Sequence, residues 1–165
     1  MDFLKIAGGL VLAAVAGPAL AHVSASPREA VAGAYQVVRF GVGHGCPGAA
    51  ATVALRLEMP AGLGAARPQP KPGWALEIET AGDTVQAVVW RGRLPADQFD
   101  EFVVLMRLPE QPGTIFIPAI QTCDQGESRW TQTAPPETTP RPTHPAPSLR
   151  LLPAQPAAAA AHQHH

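Results

Sequence analysis

Hydrophobic and polar residues alternate along much of this chain with a period of two, the spacing of a β-strand with one buried face. In residues 34–42, Val38, Phe40 and Val42 fall on one face and Tyr35, Val37 and Arg39 on the other. Residues 52–59 alternate strictly, which predicts Val53, Leu55, Leu57 and Met59 inward and Ala54, Arg56 and Glu58 outward until Pro60 ends the strand. Residues 73–80 put Trp74, Leu76 and Ile78 on one face, Gly82-Asp83 marks a turn, and residues 84–90 return as the hairpin partner. Residues 99–108 carry Phe102, Val104 and Met106 on one face. Residues 114–123 read as one strand interrupted at Pro118 by a bulge or a sheet edge, and residues 128–132 as a last short strand. The count is about seven strands with no convincing helical period, which predicts an all-β fold, an antiparallel β-sandwich of immunoglobulin or cupredoxin type.

The two ends of the chain break this pattern. Residues 1–21 read as a signal peptide: Lys5 supplies the positive region, residues 6–15 are the apolar stretch, and Gly17-Pro18 precedes Ala19-Leu20-Ala21, a small-residue cleavage pattern. The apolar stretch is too short for a spanning helix. No second long apolar run follows, so no membrane anchor is expected in the mature chain. The predicted β-sandwich then occupies residues 22–134. Residues 135–165 read as a stiff, proline-rich linker and a tail ending in His162, His164 and His165, expected to be disordered. Within that stretch Leu149, Leu151 and Leu152 supply one small strand able to dock back.

The formal net charge is −1 and no basic stripe is present, which argues against nucleic acid or an anionic membrane surface as partner. The chain has two cysteines, Cys46 and Cys123, and in an exported protein the default is one disulfide between them. The alternative is a second metal site, because His44-Gly45-Cys46 puts an imidazole and a thiol close together.

Cleavage after Ala21 makes His22 the first residue of the mature protein. Its free α-amine and its imidazole Nδ1 can then grip one metal ion and close a six-membered chelate ring. Imidazole suits copper, nickel and zinc, and such sites generally favour Cu(II). Hydrolase, phosphate-loop and His-Glu-x-x-His zinc signatures are missing from the sequence. A blue-copper site fails because no His or Met follows Cys123 at the required spacing. A Met-rich Cu(I) carrier fails because the mature chain has only Met59 and Met106, both in strands. A full histidine brace needs a second histidine beside the first, and His44 is the only other one within residues 22–134.

The chain resembles the YcnI-type copper-binding domain of the periplasm or cell surface. The matching stretches are His22-Val23, Pro27-x-Glu29 with Ala32-Gly33, Pro72-Gly73-Trp74, Gln98-Phe99-x-x-Phe102 and Arg129-Trp130, with His44-Gly45-Cys46 and Gln121-Thr122-Cys123 as in the Gram-negative form. The resemblance implies one Cu(II) held by a mono-histidine brace, with His22 giving amine and imidazole, Glu29 an oxygen ligand, and Trp130 packed against the metal. It implies copper homeostasis or delivery in the periplasm, not catalysis, with other periplasmic copper carriers or a membrane copper transporter as partners. Two other classes stay open at this point: a copper-dependent oxidase or monooxygenase with an open N-terminal histidine site, and a metal-free β-sandwich interaction module. Glu29 lies seven residues beyond His22, so the chain must double back near Ser26-Pro27 for both to reach one ion.

Overall fold

The computed structural model describes residues 22–135 and 137–154. The expected signal peptide and the terminal histidines lie outside the described residues. Among the described residues no helix is long and apolar enough to cross a membrane. The chain forms β1 (Ser24–Ser26), β2 (Glu29–Val31), β3 (Tyr35–Val42), β4 (Ala51–Glu58), β5 (Ala65–Pro68) and β6 (Ala75–Ala81). It continues with β7 (Thr84–Pro95), β8 (Asp100–Arg107), β9 (Gly113–Phe116), β10 (Ala119–Cys123), β11 (Glu127–Trp130) and β12 (Ser148–Leu152).

These strands build two main sheets and a small third one. The first has the order β1-β3-β8-β5, the second β11-β10-β4-β7-β6, and the third β2-β12-β9. All pairings are antiparallel except β2 with β12. The inward faces share one core: Val38, Phe40, Phe102, Val104 and Met106 from the first sheet meet Leu55, Leu57, Val88 and Trp90 from the second. Trp90 packs edge-on to Phe102 across the gap, with ring centres 5.4 Å apart. The expected antiparallel β-sandwich is therefore the fold, built from twelve short strands where the alternation suggests about seven.

Three expectations need correction. Residues 114–123 are not one strand. At Pro118 the chain changes sheets, β9 pairing with β12 and β10 with β4. Val53 is not fully inward, because a register shift between Thr52 and Ala54 breaks the alternation and buries Thr52 instead. Nor does the fold end at residue 134: the small strand expected at Leu149, Leu151 and Leu152 docks as β12, the middle strand of the third sheet, with Leu149 and Leu151 at 0% and 2% exposure. The Pro-rich segment before it cannot sustain a ladder, which is why the sequence reads as a linker, but its far end carries an alternating Leu-x-Leu that the core accepts.

The edges are fixed by polar contacts. The β6–β7 hairpin closes through Gly82 at φ +57, a conformation that favours glycine. Arg56 on β4 reaches over β7 to bind Glu79 on β6 through both terminal guanidinium nitrogens, Nη1 and Nη2, at 2.5 and 2.8 Å, and that bonding holds the Glu79 carboxyl below its ordinary value.

Candidate metal centre

His22 stands just before β1, the outer strand of the first sheet, and Trp130 ends β11, the outer strand of the second. The two outer strands bring these residues together at one edge of the sandwich. The His22 and Trp130 ring centres are 5.3 Å apart with planes tilted by 49°. Trp130 alternates inward with Ser128, so its indole turns into the core and is only 4% exposed.

The indole is pinned at its polar end. Trp130 Nε1–H donates to Gln121 Oε1 at 3.3 Å. Gln121 is 1% exposed, and its amide nitrogen donates to the His44 carbonyl at 2.7 Å and to Thr52 Oγ1 at 2.8 Å. One buried amide thus ties β10, β4, β11 and the loop after β3 together, with its donors and acceptor all used. Beside it Cys46 and Cys123 form a disulfide with Cα atoms 6.1 Å apart, and the Cys46 N–H donates to Cys123 Sγ at 3.0 Å. Both thiols are consumed, so the alternative of a metal site at His44 and Cys46 falls. His44 Nδ1 bonds the Gly45 carbonyl at 2.8 Å, and its Nε2 is buried without a partner among the described residues.

Glu29 opens β2, two residues after Pro27, where the chain leaves the first sheet for the third. His22 and Glu29 line one cavity of about 420 Å³, together with Arg28, Thr114 and Arg150. The doubling back required near Ser26-Pro27 therefore occurs. The Glu29 carboxylate is engaged there, its Oε1 lying 3.6 Å from Arg150 Nη1, with both side chains more than half exposed. Such an exposed pair is weak and separates at little cost. The three predicted site residues come together unequally: His22 meets Trp130 directly, whereas Glu29 shares the cavity of His22 but faces Arg150. Among the described residues no group of three or more His, Cys, Asp and Glu side chains is arranged to hold a metal ion. An N-terminal histidine draws two donors from one residue, so a site there needs fewer side chains.

One residue at this edge escapes sequence reasoning. The His144 ring centre lies 5.1 Å from that of Trp130, at a tilt of 36°. His144 belongs to the stretch read as linker, and no local pattern there signals a return to the sandwich edge. Trp74 and Trp90 serve packing, Trp90 in the core and Trp74 edge-on to Phe102 at 5.0 Å.

No curated protein matches the chain. An uncharacterized protein from Nocardia farcinica with an immunoglobulin-like fold superimposes with a TM-score of 0.65 at 33% sequence identity, over 79% of this chain and 97% of that one. A family described as a domain of unknown function, DUF1775, matches residues 22–151, so the match includes Glu29, Trp130 and His144 and runs into β12. On this match the chain is a member of the DUF1775 family, the family of the YcnI-like domains, with an immunoglobulin-like β-sandwich.

Proposed function

We propose that this protein, once residues 1–21 are removed, binds Cu(II) in the periplasm and serves copper homeostasis or delivery without catalysing a reaction. The observation that carries the reading is the packing of His22, the residue whose amine the expected cleavage frees, against the Trp130 ring at 5.3 Å; His22 also lines a cavity with Glu29. The donor set fits: two nitrogens from His22 and a carboxylate oxygen suit Cu(II), whereas Cu(I) prefers sulfur, and both cysteine sulfurs are bound to each other. Glu29 would leave Arg150 to join the ion. The Trp130 face, negative at its centre, favours a cation beside it and limits access by other ligands. That crowding favours carriage over oxidase or monooxygenase chemistry, which needs open positions for a co-substrate.

Cu(II) titration of the correctly processed protein, followed by EPR, tests this reading. One tight equivalent is expected. His22→Ala should abolish it, and an added residue ahead of His22 should do nearly as much damage, because the amine becomes an amide. Glu29→Gln should weaken binding less, and Trp130→Phe should retain binding while changing the spectrum. Tight binding that survives His22→Ala would sink the proposal.

A further inference from the structure

Residues 131–135 and 137–147 lie between Trp130, the end of β11, and β12. The two ends of this stretch are tied to each other through Gln132, and the Ile117 N–H, between β9 and β10, donates to the Pro147 carbonyl at 2.8 Å. The Gln132 N–H donates to the His144 carbonyl at 3.1 Å, the Ala146 N–H donates to the Gln132 carbonyl at 2.9 Å, and the His144 N–H donates to Gln132 Oε1 at 2.7 Å. The N–H and the carbonyl of His144 are thereby both bonded to Gln132, and a parallel bridge joins Gln132 to Pro145. Immediately beyond His144, Pro145, Ala146 and Pro147 form a wall of the cavity that His22 lines.

His22 and His144 therefore meet the same indole, from opposite ends of the folded chain. Their ring centres lie 5.3 and 5.1 Å from that of Trp130, which limits their separation to the sum of those distances. His144 Nδ1 is 3.1 Å from Thr143 Oγ1, and Nε2 has no protein partner among the described residues. The ring is exposed, so it can turn about its side-chain torsions while the backbone anchors stay in place.

We propose that His144 is a second imidazole donor to the metal ion bound at His22, so that the site has three nitrogen donors: the His22 amine, the His22 imidazole and the His144 imidazole. The inference rests on the copper reading above and alters its donor set. A neutral imidazole on a fixed backbone is a good ligand for Cu(II), and a third nitrogen strengthens the preference for copper over zinc. The competing explanation is that His144 merely covers the indole, a role that phenylalanine fills equally well.

The test uses the processed full-length chain with His162, His164 and His165 changed to Ala, so that the terminal histidines add no signal. Pulsed EPR of the Cu(II)-loaded protein counts coupled imidazoles. Two are expected in this parent and one in His144→Phe, with Cu(II) affinity lower in the variant by at least about tenfold. One imidazole in the parent, with unchanged affinity and spectrum in His144→Phe, overturns the inference and leaves the copper reading standing. A parent that takes up no Cu(II) tightly overturns both. The parent's imidazole count decides the matter even if the variant folds poorly.

Discussion

Trp130 is met by three side chains from three distant parts of the sequence: His22, Gln121 and His144. Gln121 is the one whose loss is most costly to the fold. Replacing it with Leu keeps the approximate volume but leaves the Trp130 N–H, the Thr52 hydroxyl and the His44 carbonyl without their buried partner. Each orphaned group costs about 1–3 kcal/mol, and relaxation recovers part of that, so Gln121→Leu should lower stability by about 3 kcal/mol in a urea titration. A loss below about 1 kcal/mol would show that the network is slack. The sequence offers His22, Glu29 and Trp130 as candidates through the order of motifs in the family resemblance. The sequence places Gln121 in the Gln121-Thr122-Cys123 stretch without a role and gives no warning of His144, because one is a polar residue inside a strand and the other lies among prolines, and neither position has a local pattern that reports its tertiary neighbours.

At the scale of elements, alternation identified the long strands well and failed where the chain changes sheets. Val38, Phe40, Phe102, Val104 and Met106 all face the core as their period implies. The strands β9 and β10 read as one in the sequence because Pro118 has apolar residues on both sides, and only pairing partners distinguish a bulge from a change of sheet. Composition sets β12 outside the predicted domain, although Leu149, Leu151 and Leu152 still mark a small strand able to dock back. The strand has a measurable consequence. A chain ending at residue 154 should retain the parent's melting temperature and its His22-dependent Cu(II) uptake. A chain ending at residue 134 loses the strand between β2 and β9, uncovering Ala30 and Ile115 and removing Leu149 and Leu151 from the core. Removing two fully buried leucines costs several kcal/mol, about 2–5 for each by the measured range for large core truncations. The shorter chain should therefore melt far lower or fail to fold, and an unchanged melting temperature would mean that β12 contributes nothing.

Across the whole molecule, one covalent link joins what the hydrogen bonds join. Cys46 and Cys123 are 77 residues apart in sequence, and their bridge ties the loop after β3 to the end of β10 beside the Gln121 amide. The pairing is legible from two cysteines in a chain expected to be exported; its position beside Gln121, the partner of Trp130, is not, because that depends on how β10 and β11 lie in the second sheet. Closing a loop of that length in the unfolded chain is worth roughly 4–5 kcal/mol on the chain-entropy account. The double variant Cys46→Ser, Cys123→Ser should lose about that much against denaturant. The loss should exceed that of Gln121→Leu, and reductant should move the parent toward the variant while leaving the variant itself unchanged. Without the bridge, the His44 carbonyl keeps its hold on Gln121 only as firmly as the free loop allows, so the Trp130 indole should also relax. That relaxation is read separately from stability, as a change in the Trp130 contribution to near-ultraviolet circular dichroism under conditions where the variant is fully folded. A variant with the parent's near-ultraviolet spectrum would confine the disulfide to stability and leave Gln121 alone to fix the indole.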